Sequence, residues 1–150
     1  MHWPNGIDPK QNGGIRHAPG YLPDIMATIV DLTGATYPSS FDGHAVEPLE
    51  GQSLLPVFGN DTPGDERRPM FWEHEGNAAV RIGPWKLVKR YPRAWELYDM
   101  DADRTELNDL ASRQPERVKS MADAWQKWAE ASNVLPLCPW EGKGTILPAE

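Results

Sequence analysis

A short polar segment, Glu73, His74, Glu75 and Asn77, is the part of this 150-residue chain with the side chains best suited to bind a polar ligand. It lies between two apolar, β-prone runs and contains Gly76, so we expect it at the tip of a β-hairpin. An imidazole changes its charge near neutral pH, and polar tips on a rigid scaffold often bind ligands. A turn that is polar only because it faces solvent has the same composition, and this is the simpler interpretation.

Three alternating carboxylates, Asp99, Asp101 and Asp103, resemble the opening of a calcium-binding loop. Such a loop also needs glycine at its sixth position and glutamate at its twelfth. This chain has Arg104 and Leu110 there. We therefore interpret the segment as a solvated turn that caps the next element, and we predict no metal site.

No other residue pattern forms a self-contained catalytic site. Cys138 is the only cysteine, which excludes an internal disulfide or a multi-thiolate zinc site, and no basic neighbour would activate its thiol. Ser53 lacks the Gly-x-Ser-x-Gly environment of a hydrolase nucleophile. Gly13 and Gly14 do not fit a nucleotide-binding fingerprint. The sequence therefore predicts no catalytic residue.

The charge balance narrows the class of partner. The chain has 15 Lys and Arg against 22 Asp and Glu, and a net charge of −7. Nucleic acid and anionic membranes bind positive patches, so we expect neither as a partner. We find no signal-peptide pattern and no apolar run of about 20 residues, and the compartment stays open. Hydrophobic residues make up 39%, which predicts a folded module, while 13 glycines and 15 prolines predict long loops.

The first half of the chain contains one clear helix, predicted over residues 23–33. Pro23 suits a first helical turn, and Gly34 is a typical C-terminal stop. Apolar residues fall on two adjacent stripes, which predicts burial on more than one side. Residues 35–69 are broken by proline and glycine and are predicted to be a loop, with one helical turn inside residues 51–58.

The second half predicts a small α+β unit. Residues 70–99 contain four short aromatic and β-branched runs joined by turns, which is typical of an antiparallel meander. A helix over residues 115–132 has Val118, Met121, Trp125 and Trp128 on one stripe, so it can cover one face of that sheet. We therefore predict units at residues 1–69 and 70–134, and a disordered tail at 135–150.

The order of these segments resembles the late part of the sulfatase family, and most closely the bacterial arylsulfatases. The resemblance is carried by residues 24–34, 51–56, 71–88, 96–99 and 106–111. It runs from about residue 3 to residue 134. It implies the last helix of an alkaline-phosphatase-like α/β core, followed by that family's C-terminal subdomain of four antiparallel strands and a long helix.

The resemblance also implies a chemistry that this chain does not encode. Family members hydrolyse sulfate esters with a formylglycine made from a Cys/Ser-x-Pro-x-Arg motif, beside a calcium ion. No serine or cysteine of this chain stands in that motif. The calcium ligands are likewise expected only upstream, in a missing N-terminal part. The chain would therefore need no cofactor of its own.

The resulting hypothesis is a C-terminal arylsulfatase fragment, from a split, frameshifted or truncated gene, that is inactive alone and pairs with the missing N-terminal half. The sulfate ester would be a substrate of the intact enzyme only, and the core-facing side of the helix at residues 23–33 would be left uncovered, because its partner strands are missing. His74, Glu75 and Asn77 would line the rim of its substrate pocket. The alternative is a stand-alone carbohydrate- or protein-binding β-module without catalysis, for which the seven tryptophans are the argument.

Overall fold

The computed structural model of the chain describes residues 3, 6–11, 13–59 and 68–135. These residues form two compact units, Met1–Glu66 and Arg67–Glu150. In the described ranges, no helix combines the length and the apolar character that crossing a bilayer requires. All but the first residue of the predicted tail at 135–150 lies outside the described residues.

The first unit is built around helix α1, Pro23–Thr33. Gly34 ends it in the left-handed conformation, with φ of 65°, which costs glycine little. A two-stranded hairpin follows, β1 (Ser40–Phe41) and β2 (His44–Ala45), and then the short helix α2, Leu55–Gly59. We predicted a loop where this hairpin lies, because strands of two residues are too short to show alternation. Its Asp42-Gly43 turn was the available signal.

The buried carboxylate of Asp24 ties α1 to a distant loop. Its two oxygens accept hydrogen bonds from the backbone N–H groups of Tyr21 and Gln52, each at 2.9 Å. The Thr28 hydroxyl donates to the carbonyl of Asp24 at 2.6 Å and accepts from the N–H of Leu54 at 2.9 Å. A helix without a side-chain N-cap is thereby fixed to the loop that precedes α2.

The outer face of α1 is apolar and half exposed. Ile25, Met26, Ile29 and Leu32 keep between 43% and 52% of their surface accessible, whereas Ala27 and Thr28 are buried. Burial on more than one side, as the two apolar stripes predicted, is therefore not found in the described chain, whereas the uncovered side that the fragment hypothesis predicted is present. The apolar pattern indicates which residues prefer to leave water, but it does not provide an element that covers them.

The second unit contains a four-stranded antiparallel sheet, as predicted. Its strands lie in chain order: β3 (Pro69–His74), β4 (Asn77–Ile82), β5 (Trp85–Lys89) and β6 (Trp95–Asp99). Phe71 pairs with Val80, Val80 with Leu87, and Leu87 with Leu97, so one apolar row crosses all four strands.

Helix α3, Pro115–Ala131, packs on that row. Met121, Trp125 and Ala129 recur every four residues and are buried on the side of α3 that meets the sheet. The core they complete consists of Ala78, Val80, Leu87, Leu97, Met121, Trp125 and Ala129. The α+β class, the four-stranded meander and the terminal helix are thus confirmed. The face that α3 covers is called the helix face below.

Candidate functional site

The opposite face of the sheet carries a mixed polar and aromatic row. Trp72 pairs with Ala79, Ala79 with Val88, and Val88 with Glu96. Side chains alternate along each strand, so these four residues point away from α3. This side is called the second face below.

A cavity of ≈ 400 Å³ lies on the second face beside the β3–β4 turn. Ala79 and Val88 give it an apolar floor, and Trp72, which is 39% exposed, gives it an aromatic wall. Its complete lining is Trp72, His74, Asn77, Ala78, Ala79, Val88, Lys89, Arg90 and Glu96. A second cavity of ≈ 390 Å³ shares Trp72 and Ala79 with it and is completed by Arg81, Lys86 and Met100. A small cavity with an apolar base and a few polar groups is typical of a ligand site.

The β3–β4 turn is held by two of its own side chains. Glu75 and Gly76 occupy its centre with φ of 54° and 83°, the geometry of a tight two-residue hairpin. Glu73 accepts the backbone N–H of Gly76 at 2.7 Å. Asn77 donates to the carbonyl of His74 at 2.9 Å and accepts the N–H of Tyr91 at 3.1 Å. Glu73 and Asn77 therefore position the turn and bring the segment after β5 against it.

The three residues singled out in the sequence thus take different places. His74 lines the cavity, and its side chain is 82% exposed. Asn77 also lines the cavity, but both polar atoms of its amide already have backbone partners. Glu75 is not part of the lining, and its carboxylate lies 3.8 Å from Nδ1 of His74. Of the three, His74 has the side chain with polar capacity to spare at the cavity.

Two charged groups of the cavity, Arg90 and Glu96, were not found from the sequence. Within the described part of the chain, the Arg90 guanidinium has no hydrogen-bond or ion-pair partner. Glu96 accepts a hydrogen bond from the Tyr98 hydroxyl at 2.9 Å. Burial raises the pKa of Tyr98 to about 12, and Glu96 adds to the shift. Strand register is the signal that could have found Arg90. Ala78 pairs with Lys89, so the residue after Lys89 lies beside the β3–β4 turn.

The other cations near the cavities are already engaged. Lys86 forms an ion pair with Glu106 at 2.5 Å, and Nε of Arg81 donates to the carbonyl of Gly83 at 3.0 Å. The ammonium group of Lys89 lies 5.0 Å from the centre of the Trp95 ring. Arg90 is therefore the cation best placed to meet a ligand.

The acidic segment that begins with Asp99, the last residue of β6, caps backbone N–H groups. Asp99 accepts the N–H of Asp101 at 3.0 Å, and Asp103 accepts the N–H groups of Leu107 and Asn108 at 2.8 Å each. The bond from Asn108 does most to lower the pKa of Asp103 below its usual value. Among the described residues, no cluster of three or more His, Cys, Asp or Glu side chains is disposed to hold a metal ion.

Comparison with known proteins identifies sulfatases as relatives. No family model matches the chain. An uncharacterized sulfatase of Schizosaccharomyces pombe is 27% identical over 118 residues, which cover 75% of this chain and 21% of that protein. An N-acetylglucosamine-6-O-sulfatase of Bacteroides thetaiotaomicron is 27% identical over 126 residues, which cover 71% of this chain and 21% of the enzyme. The chain thus spans about a fifth of the length of these curated relatives and corresponds to their C-terminal part.

A solved structure shares the fold. The solved structure of a protein in complex with its substrate D-glucosamine-2-N,6-O-disulfate matches with a TM-score of 0.54 at 24% identity. The match covers 76% of this chain and 24% of that protein. The structural neighbours have the alkaline-phosphatase-like fold, as the resemblance to the sulfatase family implied.

Proposed function

We propose that this chain, which is homologous to the C-terminal part of the sulfatases, forms the terminal subdomain of a sulfuric ester hydrolase and borders its substrate pocket. The observation that supports this most is the combination of the sulfatase relatives with a ligand-sized cavity on the second face of the sheet. The α3 helix stabilises the sheet from one side, which leaves the alternate side chains of the other side to contact substrate.

The reacting groups lie outside this chain in this proposal. A formylglycine requires a Cys/Ser-x-Pro-x-Arg motif, and Cys138 is followed by Pro139 and Trp140 instead. The carboxylates of Asp99 and Asp103 accept hydrogen bonds from backbone N–H groups. We therefore expect the nucleophile and the cation to come from the remaining four-fifths of a sulfatase, and this chain to have no turnover alone.

The contribution of this chain is then to position the substrate. His74 lies at the rim of the cavity, and the backbone bonds made by Asn77 hold the turn that carries it. An exposed imidazole at a rim can donate to a sulfate oxygen or to a sugar hydroxyl. Glu75 would act only through its contact with His74.

The experiment is a hydrolysis assay of the purified chain with 4-nitrophenyl sulfate and calcium. We expect no release of nitrophenol above the rate of a buffer blank, while an intact sulfatase assayed in parallel turns over. Calcium-dependent hydrolysis by the chain would contradict the proposal, because the residues present would then supply a nucleophile.

The alternative, a stand-alone carbohydrate-binding module, has the aromatic wall of Trp72 in its favour. Against it stands the apolar outer face of α1, since a self-sufficient domain rarely leaves such a stripe half exposed. The fragment and the stand-alone module should differ in their tendency to self-associate in solution. A fragment should self-associate through α1, and the Ile29→Lys variant should do so less. A monodisperse, cooperatively melting monomer that binds glycans would favour the module.

A further inference from the structure

The cavity beside the β3–β4 turn has an unbalanced positive charge, although the chain as a whole carries −7. We propose that it binds an anionic group of a saccharide, with Arg90 as the main contact and His74 as the second. This inference rests on the proposed function in one respect: the reacting ester would sit beside groups outside this chain, so the anion bound here is a different one.

The charge argument comes from what each group already contacts. Arg90 has no polar partner among the described residues, so its guanidinium can form two parallel hydrogen bonds to a sulfate or carboxylate. Glu96, the carboxylate of the lining, is directed to the Tyr98 hydroxyl at 2.9 Å. Lys89 also lines the cavity, but its ammonium group lies 5.0 Å from the centre of the Trp95 ring. The net effect is a site for an anion.

The apolar part of the lining indicates that the anionic group is carried by a sugar ring. Trp72, Ala79 and Val88 form a contiguous surface across three strands. The C–H face of a pyranose packs well on an aromatic ring, and its hydroxyls can reach polar groups at the rim. The volume of ≈ 400 Å³ is near the lower end of the range for small-molecule sites, which favours a single sugar unit.

The test is a titration of the full chain followed by NMR shifts of backbone amides and indole N–H groups. The probes are D-glucose 6-sulfate, D-glucose and sodium sulfate at matched ionic strength. We expect saturable shifts around the cavity with glucose 6-sulfate. Glucose and inorganic sulfate should each bind roughly tenfold more weakly, because each lacks one half of the recognised group.

Two variants test whether Arg90 contacts the anionic group. Arg90→Gln should weaken binding of glucose 6-sulfate by roughly tenfold, the loss expected for a hydrogen bond to a charged group. Arg93→Gln removes the same charge from an exposed position that is not part of the lining, and it should leave binding unchanged. Thermal melting of both variants checks that they fold.

The inference fails if no saturable shift appears, if both variants lose affinity equally, or if inorganic sulfate binds as tightly as the sugar sulfate. None of these results depends on turnover. If this chain can replace the C-terminal part of an active sulfatase and yet shows no binding, the proposed function stands and this inference falls. If this chain binds glucose 6-sulfate but cannot replace the C-terminal part of an active sulfatase, the inference stands and the proposed function falls.

Discussion

The indole N–H of Trp125 donates a hydrogen bond to the backbone carbonyl of Trp72 over 3.0 Å. Trp125 is a residue of α3 and lies in the core, whereas the side chain of Trp72 forms a wall of the cavity on the second face. β3 is an edge strand, so half of its carbonyls lack a strand partner, and this donor supplies one. Packing on the helix face thereby fixes the strand that presents the cavity wall.

Loss of this donor should cost stability. In Trp125→Phe the ring still fills the core, but the Trp72 carbonyl loses its partner, so we expect the free energy of unfolding to fall by about 1–3 kcal/mol. Trp128→Phe is the control, because its indole N–H has no partner among the described residues and a phenyl ring can keep the stack on Phe71. Urea denaturation measures both, and equal losses would contradict the role of the hydrogen bond.

The two faces of the sheet should respond differently to truncation. Leu87 is fully buried in the core, so Leu87→Ala should lower the free energy of unfolding by about 2–5 kcal/mol. Val88→Ala, one residue along on the second face, removes surface that is only partly buried and should cost less. A larger loss at Val88 than at Leu87 would mean that the register is wrong.

Gly51 should tolerate no side chain. A Cβ at this position would lie 2.1 Å from the carbonyl oxygen of Pro23, a backbone atom that cannot move aside cheaply. Gly51→Ala should therefore separate the loop from α1 and speed hydrogen exchange at the amides of Gln52 and Leu54. Gly59→Ala is the matched control, since a Cβ there meets nothing within 4 Å. Unchanged exchange in Gly51→Ala would contradict this packing.

Tyr98 should make stability depend on pH in the alkaline range. Its pKa is raised to about 12 in the folded chain, because burial disfavours the phenolate, whereas an unfolded tyrosine titrates near 10. The unfolded state therefore loses its proton first. The stabilisation is complete below about pH 10 and is lost as pH rises toward about 12.

The comparison with Tyr98→Phe isolates this effect, because phenylalanine has no proton to lose. We expect the stability difference between the two proteins to shrink between about pH 10 and about pH 12 in urea denaturation experiments. A difference that stays constant over this range would show that the phenol titrates normally.

The sequence was informative where periodicity reports burial. The meander and α3 were predictable because in each one face is apolar. The signals were the alternation in β5 and the spacing of three and four residues among Val118, Met121, Trp125 and Trp128. The exposure of α1 does not follow from its apolar stripe, which looks the same with or without an element to cover it. It was predicted from the fragment hypothesis, in which the strands that cover the helix are missing.

The candidate site was less predictable, because it depends on pairing between strands. Composition indicated a polar turn at His74, but it could not show that the amide of Asn77 is taken up by the backbone. Nor could it show that Arg90, just after β5, and Glu96, in β6, reach the same cavity. Such contacts require the register and side-chain directions, which local composition does not contain.

The most direct measurement uses a chimera in which this chain replaces the corresponding part of an active enzyme. The C-terminal fifth of the Bacteroides thetaiotaomicron N-acetylglucosamine-6-O-sulfatase would be replaced by residues of this chain, and hydrolysis of N-acetylglucosamine 6-sulfate measured. The same enzyme truncated without replacement is the control. We expect the chimera to be soluble and to turn over while the truncated enzyme does not. A chimera that folds but is as inactive as the truncated enzyme would contradict the assignment of this chain as a sulfatase subdomain.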